Sequence, residues 1–393
     1  MTPPSRPRPE TICARPVPAP ASATEPLVPP LSLSAVYRLE GLDQVDAVSG
    51  SETPGFIYAR DGHPNAALLA RKVAELEGAQ AAWVCASGMA AEAAVLLSGL
   101  DAGDRVALSE GVYGKTAALI TRELARFGIG SDRFDATRPE TLRPALGPRT
   151  RLVFVETLSN PLLRLADIAG IAALARGHRA LLVVDHTFAP LLCRPLELGA
   201  DAVIHSATKL IGGHSDLTLG LLAGSGDLIE RTAGLASTFG LTGNPFESWL
   251  ALRGIATLGL RSARACATAL TLAGRLEGRG PVHAVHYPGL VSHPDHARAA
   301  RLLEGGFGTI LTIDLGGRGQ ADRFIRALRH IPFAPSLGDV ATTLSHPATT
   351  SHRGQDPESW TRQGITPGLV RLSIGLEDPD DLWEDLSRAL DVL

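Results

Sequence analysis

The rarest basic side chain of this sequence is the one that points to chemistry. Among 37 Lys and Arg residues, only Lys72, Lys115 and Lys209 are lysines. A lysine kept among so many arginines indicates a need for an amine, which a guanidinium cannot replace. Lys209 lies among hydroxyl groups in the stretch SATK, and an amine that loses its proton can form an imine. Lys209 is therefore the first candidate for a catalytic residue.

A carboxylate lies close to Lys209 in the predicted fold. Residues 181–184 and 202–204 are short apolar runs that end on polar residues, which is typical of buried strands opening into a site. Asp185 ends the first run, and Lys209 follows the second. Pyridoxal phosphate chemistry needs such a lysine, and a carboxylate that faces the pyridine nitrogen. The alternative interpretation is a lysine at a loop edge and an aspartate that caps a helix.

The same chemistry requires a cradle for the cofactor phosphate, and two stretches can supply it. Ser206 and Thr208 place hydroxyl groups beside the lysine. Ser87-Gly88-Met89 follows a short apolar run and opens an Ala-rich helix. A glycine turn at the start of a helix presents free backbone N–H groups, which bind anions.

The elements around these residues alternate between strands and helices. Such alternation predicts a mainly parallel sheet with crossover helices. Further along, a second set of strands ends with a helix that repeats Leu382, Leu386 and Leu390 on one face. The predicted elements are a helix over residues 64–77, strands over 83–86, 105–108, 152–155, 309–315 and 369–374, and a helix over 321–328.

The stretch SATKLIGGHSD, behind VDHTFAP, resembles the Cys/Met-metabolism (trans-sulfuration) family of pyridoxal phosphate enzymes. The resemblance runs from about Tyr58 to the C-terminus. It implies pyridoxal 5'-phosphate as cofactor and the fold of the aspartate-aminotransferase type (fold type I), with a large mainly parallel α/β domain and a smaller C-terminal α+β domain. The expected divisions are an N-terminal arm over 1–57, a cofactor-binding domain over 58–250 and a small domain over 251–393.

The resemblance also implies roles for single residues. Tyr113 would stack on the pyridine ring and Asp185 would pair with its nitrogen. Arg371, a charged residue within an apolar strand, would bind the substrate α-carboxylate, although a structural ion pair is the alternative. Asn160 and Ser336 are expected beside the same carboxylate.

The segment FIYARDGHPN resembles the family segment whose Tyr and Arg reach across a dimer interface. It implies that Tyr58 and Arg60 contact the cofactor phosphate of a neighbouring subunit. We therefore expect a homodimer with shared active sites, assembled further into a homotetramer. His63 in this segment and His186 after Asp185 depart from the family pattern, and their roles stay open.

Composition limits the possible partners. A net charge of −4 and a pI near 6.3 give no basic face for nucleic acid, and no apolar run is long enough to span a bilayer. The four cysteines are widely separated, which argues against metal or disulfide frameworks and favours the cytoplasm. Residues 1–30 contain ten of the 28 prolines, which predicts an extended or disordered arm.

The predicted reaction is elimination or replacement at the γ-carbon of a homoserine-derived or sulfur-containing amino acid. Lys209 would take the α-proton, and Tyr113 would help to move protons. At positions 57 and 335 the apolar Ile57 and Pro335 resemble the residues of the family's methionine γ-lyases. Lys115 instead resembles the lysine of synthases that bind an anionic leaving group. Lys115 could equally point to solvent.

Other classes of protein stay open at this stage. A β-eliminating C–S lyase would use the same residues, and a degenerate paralogue could bind ligands without catalysis. An unrelated nucleotide-binding α/β protein would need a GxGxxG turn after its first strand, and the sequence contains none.

Overall fold

The computed structural model describes residues 24–354 and 357–393. Leu31–Leu393 forms one compact unit. Most of the predicted N-terminal arm, residues 1–23, lies outside the described residues. Residues 24–30 contain neither a helix nor a strand.

A seven-stranded sheet forms the larger layer of the unit, in the order β1-β7-β6-β5-β4-β2-β3. β7 runs in the opposite direction to the other six strands of this sheet, so the mainly parallel sheet expected from the sequence is confirmed. Its central strands are buried on both faces, which explains their continuous apolar runs. The strands are β1 (Ala81–Cys85), β2 (Arg105–Ser109), β3 (Gly130–Phe134), β4 (Thr150–Glu156), β5 (Leu181–Asp185), β6 (Ala202–Ser206) and β7 (Gly220–Gly224).

Helices precede, separate and follow these strands. The predicted helix over 64–77 is confirmed, with proline at its first position and Gly78 in the left-handed conformation just after it. The α-helices up to the second sheet are α1 (Leu42–Ser49), α2 (Pro64–Glu77), α3 (Gly88–Gly99), α4 (Gly114–Ala118), α5 (Ile168–Gly177), α6 (Gly226–Phe239), α7 (Pro245–Ile255) and α8 (Leu258–Leu276).

A smaller, four-stranded antiparallel sheet lies in the C-terminal part, in the order β10-β11-β9-β8. Leu382, Leu386 and Leu390 of the last helix are buried with Leu272 of α8 in a separate apolar cluster, as the leucine repeat predicts. The elements are β8 (Ala284–His286), α9 (His296–Leu302), β9 (Ile310–Asp314), α10 (Arg318–Ala327), β10 (Thr343–Ser345), α11 (Pro357–Gln363), β11 (Leu369–Ser373) and α12 (Pro379–Leu390).

Two strands of the large sheet were not expected from the sequence. β7 begins and ends with glycine, and β3 is a largely polar edge strand, so neither shows a strong strand pattern. The predicted domain division near residue 250 falls inside α7 (Pro245–Ile255) and stays a prediction.

Candidate active site

A cavity of about 580 Å³ opens at the carboxyl edge of the parallel strands. Asp185 ends β5, Tyr113 follows β2 and Lys209 follows β6. The C-terminal ends of these three strands thus bring the three residues to the same cavity. The structure thus collects most of the residues predicted from the sequence. Those that line the cavity are Ser87, Gly88, Met89, Tyr113, Asn160, Asp185, Ser206, Thr208, Lys209, Pro335, Ser336 and Arg371.

The first turn of α3 forms one end of the cavity. Ser87 caps this helix, and its Oγ accepts a hydrogen bond of 3.1 Å from the Ala90 N–H. A Cβ on Gly88 would lie 2.9 Å from the Ser206 Cβ, so only glycine allows this close approach. The start of the helix therefore lies directly beside Ser206 at this end of the cavity. This arrangement fits a phosphate.

Asp185 lies at the middle of the cavity wall. Its Oδ1 accepts a 2.8 Å hydrogen bond from the Thr187 N–H, and burial raises the pKa of its carboxyl group. A cationic partner in the cavity would favour the ionised form. A pyridinium nitrogen is such a partner, so Asp185 fits the expected cofactor.

Two buried histidines lie behind Asp185. The His186 Nε2 lies 3.0 Å from the Cys193 carbonyl, which can only accept, so Nε2 carries the proton and donates it. The Nδ1 is then unprotonated and accepts a hydrogen bond from the Thr157 hydroxyl (2.8 Å). Burial lowers the pKa of His186 to about 4, and the ring is neutral. The His205 Nε2 lies 2.7 Å from a Glu77 carboxylate oxygen. His186 is thus a hydrogen-bonded support of the strand ends.

Lys209 projects into the cavity beside the loop of Ser336. The Nζ lies 3.4 Å from the Ser336 Oγ, and burial, followed by the charge of Arg371, lowers the pKa of the amine. Gly338 in that loop has φ +81°, and a Cβ there would lie 2.5 Å from the Leu210 backbone N. Glycine at 338 therefore allows the loop to pack directly against the backbone that follows Lys209.

Arg371 is buried, at 5% exposure, next to the other residues predicted to bind substrate. Its guanidinium donates to Asn160 Oδ1 (2.9 Å) and to the Ser336 carbonyl (3.1 Å). None of the described carboxylates forms an ion pair with it, and burial lowers its pKa to about 10. A buried cation without an anion is costly, which favours an anionic ligand over a structural ion pair.

Several cavity residues were not predicted as site residues. The Glu156 Oε1 accepts a 2.5 Å hydrogen bond from the Tyr113 N–H and so fixes the start of α4. Glu92 is a buried acid on α3, and its signal in the sequence was a single charge within an Ala-rich helix. Arg353 belongs to a loop, where no periodicity marks a position as facing a site. The further lining residues are Leu158, Thr187, Phe188, Thr218, Leu337, Thr349, Thr350 and Ser351.

Three predicted site residues lie outside this cavity. Tyr58 and Arg60 are exposed, with the guanidinium carbon 5.4 Å from the centre of the Tyr58 ring. Lys115 is exposed on α4. His63 is buried elsewhere and caps α2, because its Nδ1 accepts from the Ala66 N–H (3.1 Å).

Residues 24–354 and 357–393 contain no group of three His, Cys, Asp or Glu side chains placed to bind a metal ion. None of the helices in this part of the chain has the length and apolarity to cross a membrane.

Comparisons with known proteins agree with this geometry. The sequence model of the family described as "Cys/Met metabolism PLP-dependent enzyme" matches residues 10–391. An O-succinylhomoserine sulfhydrylase of Pseudomonas aeruginosa is 43% identical over 87% of this chain and 85% of the relative. An L-methionine gamma-lyase of Pseudomonas putida is 41% identical over 93% and 92%. A cystathionine gamma synthase structure from Xanthomonas oryzae pv. oryzae, in complex with cystathionine, superposes with a TM-score of 0.89, at 36% identity and 94% coverage of both chains.

Proposed function

We propose a specific reaction on the premise that this chain belongs to the Cys/Met-metabolism family of pyridoxal phosphate-dependent enzymes. It is an enzyme of sulfur amino acid metabolism that uses pyridoxal 5'-phosphate, which supplies an electron sink for charge at the substrate α-carbon. The proposed reaction is γ-elimination or γ-replacement on a homoserine derivative with an anionic leaving group.

The proposed roles of the residues follow their positions. Lys209 takes the substrate α-proton, because a lowered pKa makes its neutral amine more available as a base. Arg371, supported by Asn160 and Ser336, binds the substrate α-carboxylate. Tyr113 lies across the same cavity and helps Lys209 to move the second proton that a γ-leaving group requires.

The proposed cofactor contacts divide between three places. Ser87, Gly88, Met89, Ser206 and Thr208 bind the phosphate at the start of α3. Asp185 would pair with the pyridine nitrogen, and Tyr113 would stack on the ring.

One observation carries the choice of an anionic leaving group. The cavity wall contains a second guanidinium, that of Arg353, which forms no ion pair with a described carboxylate. Lys115, the cation that sequence reasoning selected for this role, is exposed and does not line the cavity of its own chain. Arg353 is exposed as well, but unlike Lys115 it lines the cavity, so it is better placed to bind a distal carboxylate or phosphate.

A methionine-like thioether is the second candidate substrate. Leu158, Phe188, Pro335 and Leu337 give the cavity apolar surface that suits an uncharged thioether. An apolar wall alone does not select an anion.

Kinetics on four substrates can separate the two candidates. We expect O-succinyl- and O-phosphohomoserine to be preferred over O-acetylhomoserine and methionine by about 10- to 150-fold in kcat/KM, the effect of one charge-assisted contact. Arg353→Met should erase this preference, and Lys115→Met is the matched control that should keep it. Loss of the preference only in Lys115→Met would return the role to that residue, and unchanged ratios in both variants would contradict an anionic leaving group.

We also propose active sites shared within a homodimer, with homotetramers as the larger assembly. Exposed Tyr58 and Arg60, away from the cavity of their own chain, support this arrangement. Inactive Arg60→Ala and inactive Lys209→Ala chains, when mixed, should form hybrids with one intact site and regain activity. No recovery after confirmed subunit exchange would contradict sharing.

We propose a cytoplasmic location because of the state of the cysteines. The described ones, Cys85, Cys193 and Cys266, are all free thiols, which is usual in a reducing compartment.

A further inference from the structure

Glu92 is the buried acid that the proposed reaction leaves without a role. It lies one turn into α3, after the start that faces the phosphate, and only 3% of it is exposed. Its neighbours on the helix are Ala90, Ala91 and Ala94, all buried and apolar. The side chain nevertheless lines the cavity, together with the carboxyl groups of Asp185 and Glu156.

The hydrogen bonds of Glu92 are incomplete for a carboxylate anion. The Thr116 hydroxyl donates to Oε1 (2.9 Å), and the buried Oε2 has no hydrogen-bond partner among the residues that the structure describes. An ionised carboxylate can accept about four hydrogen bonds, and leaving most of them unmade in a buried place is costly. A neutral acid needs only one donor at its carbonyl oxygen and one acceptor for its proton.

The charges that face Glu92 from neighbouring elements are mostly of its own sign. Asp185 comes from β5 and Glu156 from β4, and burial together with the charge of Asp185 raises the pKa of Glu92 well above its usual range. The cavity cations Lys209 and Arg371 lie beside Ser336 instead. When two carboxyl groups lie close together, the negative charge of one disfavours ionisation of the other.

The two members of the pair differ in their support. Asp185 accepts from the Thr187 N–H, and the hydrogen bonds of Thr187 and the charge of His205 lower its pKa against the effect of burial. For Glu92, the one hydrogen bond within the described residues is that from the Thr116 hydroxyl. The negative charge therefore belongs on Asp185 and the proton on Glu92.

We propose that Glu92 is a neutral carboxylic acid in the same cavity wall as an ionised Asp185, so that the two carboxyl groups together hold one proton, on Glu92. The pair presents a single negative charge to the cofactor nitrogen, and Glu92 acts as a positioning residue for Asp185. This inference rests on the proposed placement of Asp185 against that nitrogen.

Infrared difference spectra of the holoenzyme test the protonation directly. At neutral pH, wild type minus Glu92→Gln should show the carbonyl band of a protonated carboxylic acid. Thr116→Val should shift that band, because it removes the hydrogen bond to Oε1. Glu75→Gln is the matched control: Glu75 is exposed and paired with Lys72, so only carboxylate bands should be lost. Carboxylate bands alone for Glu92 would overturn the proposal.

Cofactor affinity separates this inference from the function on which it rests. Asp185→Asn should weaken pyridoxal phosphate binding by about 10- to 150-fold, whereas Glu92→Gln removes no charge and should change it far less. If both variants lost the same affinity for pyridoxal phosphate, the neutral state of Glu92 would be contradicted, but the proposed site would stand. If Asp185→Asn kept full affinity for pyridoxal phosphate, both the position of Asp185 and Glu92 at the cofactor nitrogen and the proposed site would be contradicted.

Discussion

The two ends of the cavity are built in different ways. At the cofactor end, Ser87, Tyr113, Asp185 and Lys209 follow strands of one buried sheet. At the distal end, Pro335 and residues 350–353 belong to loops. Strand ends are fixed by the register of the sheet, so they suit the steps common to many substrates. Loops can change without disturbing the core, so they suit the selection of one substrate.

The largest expected effect is the loss of turnover when the cofactor end loses Lys209. Lys209→Ala should reduce turnover by at least about 1,000-fold, because it removes the proposed base. In the wild type, borohydride reduction should fix the cofactor to the peptide that contains Lys209. Lys115→Ala, the matched control, should keep this labelling. Cofactor fixed at Lys115 would contradict the assignment.

A second prediction compares the two guanidinium groups of the cavity. Arg371→Met should lower kcat/KM by about 10- to 150-fold for every amino-acid substrate, because all of them have an α-carboxylate. Arg353→Met should act only on substrates with a distal anion. Similar selectivity changes in both variants would show that the two ends are not separate.

The contact between the ends depends on Gly338. Gly338→Ala should destabilise the protein by about 1–3 kcal/mol, because φ is +81° and the new Cβ would meet the Leu210 backbone. Gly234→Ala in α6 is the control, since nothing lies within 4 Å of its Cβ, and it should stabilise by about 0.4–1 kcal/mol. Denaturant unfolding of both variants measures the difference. A neutral Gly338→Ala would contradict the packing described.

A further prediction concerns the dependence of stability on pH. Burial lowers the pKa of His186 to about 4 in the folded protein, whereas an ordinary imidazole has 6.5. The unfolded chain therefore binds a proton below pH 6.5 that the folded chain refuses, and stability falls as the pH drops from about 6.5 to 4. His186→Asn should remove about 1–3 kcal/mol of that loss. Melting temperatures at pH 7 and pH 5 check it, and an unchanged slope would contradict a neutral buried ring.

His352 tests the same effect at the distal end. Burial also lowers the pKa of His352 to about 4. His352→Asn should likewise reduce the loss of stability between pH 6.5 and 4.

The sequence predicted the cofactor end better than the distal end, for physical reasons. Asp185 and Lys209 follow apolar runs, and the C-terminal ends of parallel strands necessarily meet at one edge. Arg353 has no such marker, because the position of a loop depends on packing that is remote in sequence. Glu92 was hidden for another reason: a lone acid in a helix normally faces solvent, and only the packing of α3 against the sheet makes it a cavity residue.

The antiparallel β7 has a consequence for the order of synthesis. In the described part of the chain, Ala81–Cys85 pairs with Gly220–Gly224 and, at Cys85, with Thr242, and all of these partners are made long after it. A growing chain that stops earlier exposes an apolar strand edge, which is prone to aggregate. The start of α3 also packs against Gly220, where a Cβ would lie 2.0 Å from the Ser87 carbonyl oxygen. A nascent chain can therefore complete its phosphate cradle only after the ribosome has passed residue 224.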